Sequence, residues 1–272
     1  MLRIGAHRLV VAFLLLALAG LGFALAATAS SADAVWPESP GTNLLTDGRL
    51  VVDASHMDQG YITCRVDSPT DHRLKLRMTY GDVQLTYDMK GDAGYEVFPL
   101  QLGSGSYEFS LFENVKANKY AGKGKVQLSV QLADENAPFL VPNQYVNYAR
   151  DTNAVLKSDE LASQGEIYSA VCDFMTREFG YDFVRAKTIG PGELPEIEAC
   201  FDSRLGICQD LSAVMVCMLR VQGIPARLMV GYADQYYHAW TAALVNGKEV
   251  FFDPTAAIGC IKASKYTTEK YF

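Results

Sequence analysis

Polar and apolar residues alternate along residues 73–80, which puts Leu74, Leu76, Met78 and Tyr80 on one face of a strand. Gly81-Asp82 then predicts a tight hairpin into residues 83–87. Similar short runs predict strands at 60–66, 95–98, 107–112 and 126–132. Turn signals stand at Gly91-Asp92, at Gly103-Ser104-Gly105 and around Gly122-Lys123-Gly124. Strands this short and evenly spaced predict an antiparallel β-sandwich over residues 35–140. His56 and His72 fall within it and read as solvated or loop histidines. Pro138-Phe139-Leu140-Val141-Pro142 marks a boundary, because the two prolines favour extended chain and lack amide donors.

Beyond the boundary the period lengthens. Ser163-Gln164-Gly165-Glu166 has the form of a capping box. Ile167, Val171, Phe174 and Met175 follow as a helical stripe, with Gly180 placed to end it. Pro195 opens a short helix carrying Ile197, Cys200 and Phe201. Residues 208–222 predict a helix apolar around most of its surface, hence central and buried, stopped by Gly223 and Pro225. A second phase of strands, 226–232, 238–245 and 248–253, makes the C-terminal part α+β.

That central helix begins at Cys208, where unpaired amides and the helix dipole stabilise a thiolate. Cys217, nine residues on, points from the opposite side and reads as a core thiol. Asn246-Gly247 fixes a two-residue hairpin, so Val245 faces Lys248 and Trp240 faces Asp253. His238 is then on the same face as Asp253 and diagonal to it, within reach of its carboxylate. No other histidine follows residue 72. A thiol, an imidazole and an orienting carboxylate form a candidate catalytic triad, Cys208, His238 and Asp253. The competing reading of Asp253 is a turn-capping residue before Pro254. Gln209, Trp240 and Tyr181 are candidates for oxyanion or substrate contacts, together with the Cys208 amide.

Hydrophobic residues make up 49% and charged residues 20% of the 272, enough to build packed cores. The formal net charge of −7, with no run of lysine or arginine, argues against nucleic acid as a partner. Arg3 and Arg8 precede an uncharged stretch from residue 9 to 27, followed by small-residue cleavage sites as far as Ala34. Residues 1–34 therefore predict a signal peptide, or an N-terminal membrane anchor if uncleaved, and a secreted location or the extracellular face of the membrane. Cys64, Cys172, Cys200, Cys208, Cys217 and Cys260 all follow this segment, and their spacing fits no zinc site. No metal and no cofactor is expected.

Gly206-Ile207-Cys208-Gln209-Asp210, Gly223-Ile224-Pro225-Ala226-Arg227, Gly231-Tyr232, His238-Ala239-Trp240 and Asp253-Pro254-Thr255 resemble the core motif series of bacterial transglutaminase-like proteins. The resemblance implies a papain-like α+β domain over residues 141–272 and an acyl-enzyme mechanism on an amide. A protein or peptide substrate is implied, a cell-wall-associated one included. Hydrolysis and transfer to an amine remain open. So does a catalytically silent binding or scaffold protein on the same fold.

Overall fold

The computed structural model describes residues 30–272; the expected targeting segment lies outside them up to residue 29. Eight antiparallel strands come first. They are β1 (Leu44–Asp47), β2 (Leu50–Asp53), β3 (Tyr61–Val66), β4 (Leu74–Tyr80), β5 (Val83–Met89), β6 (Glu96–Pro99), β7 (Gly105–Lys116) and β8 (Lys119–Val130). They form two four-stranded sheets, in the orders β1-β2-β3-β6 and β5-β4-β7-β8. The inward side chains of both sheets, such as Leu50, Ile62 and Phe98 against Leu76, Phe109 and Leu111, belong to one buried cluster. Tyr87 meets Phe98 edge-on across the interface, with ring centroids 5.4 Å apart.

Tyr80 faces Val83 across the expected Gly81-Asp82 turn. The expected turn around Gly122-Lys123-Gly124 is corrected. The chain reverses at Ala117-Asn118, and the two glycines lie inside β8, beside a register shift in its pairing with β7. Their role is space. A Cβ on Gly124 would come within 2.0 Å of Asp47 O, where the β1–β2 hairpin crosses β8. There Arg49 N donates to Lys123 O and Lys125 N to the Asp47 carboxylate. Gly124→Ala is therefore expected to cost roughly 3 kcal/mol, because backbone must move to admit the methyl; urea unfolding measures it. His56 also departs from the solvated reading: it stacks on Tyr61, and neither ring nitrogen has a partner or is open to solvent.

Helices and a third four-stranded sheet make up the rest. In chain order these are α1 (Asn153–Ala162), α2 (Ile167–Glu178), β9 (Gly180–Tyr181), α3 (Arg185–Thr188), α4 (Ile197–Ser203), β10 (Leu205–Gly206), α5 (Cys208–Arg220), β11 (Ala226–Ala233), β12 (Tyr236–Val245), β13 (Lys248–Phe252), α6 (Pro254–Ala257) and β14 (Tyr266–Tyr271). Val171 and Met175 of the expected stripe are buried, with Ile167 and Phe174 at its margin. The capping box is corrected. Ser163 closes the unforeseen helix α1, and Glu166 caps α2 itself, accepting from Tyr168 N and Ser169 N. Gly180 follows α2 as the first residue of a strand rather than as a left-handed stop.

Every residue of α5 from Asp210 to Arg220 is buried, as its apolar run requires. The helix lies against a sheet ordered β13-β12-β11-β14 and touches β12 through Thr241, whose hydroxyl donates to Ser212 O. Gly223 takes the left-handed conformation, φ 71°, just after the last turn. Arg220 is also wholly buried. It donates to Val141 O, Ala226 O and Phe272 O, at 2.6, 2.9 and 2.9 Å, and so joins the proline boundary, β11 and the last strand's end to the central helix.

Candidate active site

Cys208 is the first residue of α5, where the amides of the opening turn have no partner within the helix. Asp210 fixes this end. Its carboxylate accepts from Ile207 N at 3.1 Å and Glu196 N at 3.2 Å, and pairs with Arg185 Nε at 2.9 Å. Gly206 is required two residues before the thiol, since a Cβ there would stand 2.5 Å from Cys200 Sγ. β9 pairs with β10 so that Tyr181 lies opposite Gly206, which brings the tyrosine to the mouth of the helix.

The Asn246-Gly247 hairpin sets the register Val245↔Lys248 through Thr241↔Phe252, the counting that places His238 near Asp253. Asp253 follows that strand, and its two carboxylate oxygens are engaged separately. Its Oδ1 caps α6, accepting from Thr255 N and Ala256 N, while its Oδ2 bonds His238 Nε2 at 2.8 Å. Pinning Oδ1 this way orients the carboxylate toward the ring. With Nε2 engaged, Nδ1 is the nitrogen left to face Cys208, whose nearby sulfur helps to raise the His238 pKa. His238 itself is only 5% exposed.

Burial disfavours the imidazolium, but the hydrogen bond to Asp253 and the influence of the Cys208 sulfur outweigh it and raise the His238 pKa to about 9. Burial likewise works against the Asp253 carboxylate, yet the bonds from His238, Tyr266 and Ala256 N bring its pKa below the ordinary value. The signs follow. The His238 contribution to stability is complete below its ordinary 6.5 and is lost as pH rises through about 9. That of Asp253 is present above its ordinary 3.8 and is lost as pH falls through its lowered folded value. Asp253→Asn is expected to bring the His238 titration midpoint down from about 9 toward 6.5. Imidazole NMR reads this directly, and an unmoved midpoint would refute the coupling.

The other expected contacts divide. Trp240 is buried and nearly parallel to the His238 ring, at a centroid distance of 6.4 Å. Tyr181 is half-buried, and burial, then Cys208 and Cys260, raise the pKa of its hydroxyl. The Gln209 amide donates to Glu193 O at 3.2 Å, so that side chain is committed to the neighbouring loop. The sequence reading missed Tyr266. Its hydroxyl donates to Asp253 Oδ2 at 2.8 Å, and its ring meets Trp240 edge-on at 5.1 Å, covering the His238–Asp253 pair. The β-forming run Tyr266-Thr267-Thr268 could have marked the strand, but nothing local marks its pairing with β11. A cleft of about 480 Å³ opens beside Asp253, lined by Trp240, Phe251 and Tyr266. None of the six cysteines is bonded to another. Among the described residues no cluster of His, Cys, Asp and Glu is arranged to hold a metal ion.

Residues 148–254 match the transglutaminase-like superfamily, a span from Tyr148 through the Asp253-Pro254 pair. No curated protein matches the sequence. Solved structures are similar at low identity, among them the following three. A proposed cysteine protease of Cytophaga hutchinsonii is 18% identical, with 83% of this chain and 70% of that chain covered and a TM-score of 0.39. A proposed protease of Parabacteroides distasonis is 14% identical, covering 67% and 37%, with a TM-score of 0.34. Red sea bream transglutaminase is 14% identical, covering 78% and 53%, with a TM-score of 0.28. This chain thus spans about half of the fish enzyme. All three superpose loosely, and the family match rests on residues 148–254.

Proposed function

Residues 148–254 are a transglutaminase-like domain, and from that premise we propose that the protein is a cysteine-nucleophile enzyme acting on amide bonds of a protein or peptide substrate. The observation that carries this reading is the 2.8 Å bond between His238 Nε2 and Asp253 Oδ2, made by an imidazole whose pKa is also raised by the thiol at the mouth of α5.

With the His238 pKa raised to about 9, the imidazole holds its proton at neutral pH and supplies the charged partner that a cysteine nucleophile needs. Cys208 Sγ attacks the amide carbon, and the carbonyl oxygen takes the negative charge. The Cys208 amide is placed to bind that oxygen. Collapse breaks the C–N bond, His238 gives its proton to the departing nitrogen, and an acyl-cysteine thioester remains. Neutral His238 then takes a proton from the acceptor, which attacks the thioester and frees Sγ. Asp253 holds the ring and stabilises the imidazolium throughout.

Water as acceptor makes the enzyme an amidase or peptidase; an amine makes it an acyltransferase. We favour water, which is always present and can be excluded only by specialised walls. Intact-mass analysis of glutamine-bearing peptides, with and without an amine donor, separates the outcomes. Loss of ammonia or cleavage is the expected result, and gain of the donor's mass would assign transfer. The extracellular placement rests on the pattern of residues 1–34 alone.

A further inference from the structure

A second cleft, of about 560 Å³, lies where the β region meets the linker and the transglutaminase-like domain. This volume suits a small ligand or a few residues of a peptide. One wall is aromatic: Trp36 meets Tyr148 edge-on at 5.9 Å, and Tyr95 lies on the β-region side. The Arg150 guanidinium sits 4.7 Å from the centre of the Trp36 ring.

The polar groups are unbalanced. Asn143 lines the cleft and is only 5% exposed. Its Oδ1 accepts from Tyr145 N and Val146 N, which fixes the orientation of the amide, yet its Nδ2 has no acceptor in the protein. That donor lies beneath the lining and is closed to solvent. Arg150 and Lys90 also line the cleft, and among the described residues neither has a carboxylate partner. The two acids of the lining are already engaged. Asp88 is bound by both nitrogens of the Arg73 fork at 2.8 Å. Glu96 accepts from Lys90 N at 2.6 Å and from Gln144 Nε2 at 3.2 Å.

We propose that this cleft is a second binding site, and that its ligand is a carboxylate-bearing peptide segment with an aromatic or other large apolar neighbour. The free cations of Arg150 and Lys90 receive the carboxylate, and the Trp36–Tyr148 wall receives the apolar group. A glycan would call for free acceptors as well as donors, and both carboxylates that could serve are occupied. The site is separate from the triad. It is linked to it through the loop whose Leu194 lines the cleft and whose Glu193 O holds Gln209, the residue after the nucleophile.

The test is a titration of the whole protein with N-acetyl-phenylalanyl-glutamic acid, read by tryptophan fluorescence. Trp36 and Trp240 are the two tryptophans, and Trp240 is buried at 3% exposure, so the cleft has its own reporter. Saturable change is expected with the free acid, lost in Trp36→Phe, and binding at least about tenfold weaker for the diamide of the same peptide. Arg150→Gln, a change at an exposed side chain, is expected to weaken binding of the acid similarly. No saturable change up to about 10 mM, the weak end of small-ligand affinity, would overturn the proposal. So would equal binding of acid and diamide, or an affinity unmoved by Arg150→Gln. Saturation by chitotriose in place of the peptide would make the site a glycan site. The readout is independent of turnover, so it can fail while the assignment of Cys208 stands.

Discussion

Replacing Cys208 by alanine is expected to lower amide turnover by about 10³-fold or more while the protein stays folded. The size of the effect follows from the chemistry. Without Sγ no thioester can form, and what remains is the binding of substrate and the helix-end amides. The fold is expected to survive because Cys208 occupies the first position of α5, half-buried, where alanine suits the helix. The burial that fixes α5 lies beyond it, from Asp210 to Arg220. Unfolding midpoints of the two forms should agree within a few degrees, on the scale of ~1 kcal/mol or less. Comparable turnover in the alanine form would transfer the chemistry to another group.

Arg220→Met is expected to show the opposite profile, a large loss of stability whose effect on chemistry is indirect. Arg220 carries its charge in the middle of the molecule, with carbonyl oxygens as its hydrogen-bond acceptors. Burial pulls its pKa down to about 10, with Tyr148 and Cys217 acting in the other direction. Methionine fills much of the volume but leaves Val141 O, Ala226 O and Phe272 O without donors, at ~1–3 kcal/mol for each buried group. A total loss of roughly 3–5 kcal/mol is expected, as for removal of other buried charged partners. At ~2–4 °C per kcal/mol for a chain of this size, the midpoint falls by about 6–20 °C. Arg220→Lys, which can reach fewer of the three carbonyls, should fall between. A midpoint unchanged in Arg220→Met would mean that these bonds contribute little.

The parts of the site legible in the sequence are those fixed by local rules. A two-residue Asn-Gly turn admits one register, so the proximity of His238 and Asp253 could be counted from Asn246 backward and forward. The nearly continuous apolar run after Cys208 announced a buried central helix. Three other features depended on segments far apart in the chain. Tyr266 reaches Asp253 only because β14 pairs with β11, across a long connection. Arg220 looked like an ordinary charged residue at a helix end, since its acceptors come from residues 141, 226 and 272. Gly122 and Gly124 carried a turn signal, whereas the β1–β2 hairpin crossing there needs glycine for space. Helix α1 escaped because its ten residues present a short stripe, part of it the buried Ser158, which donates to Met218 O.

Activation of Cys208 by His238 is open to direct measurement, and the thiols themselves supply the controls. Cys260 is more exposed than Cys208, while Cys172 is half-buried and its thiol is pushed up to about 11, mainly by burial. Alkylation by iodoacetamide at neutral pH, mapped to each cysteine by mass spectrometry, compares their reactivity in one sample. Cys208 should be modified well ahead of Cys260 and Cys172, and His238→Ala should remove that lead. Modification of Cys260 as fast as Cys208, or a Cys208 rate indifferent to His238→Ala, would contradict it and leave a transglutaminase-like fold without a working nucleophile.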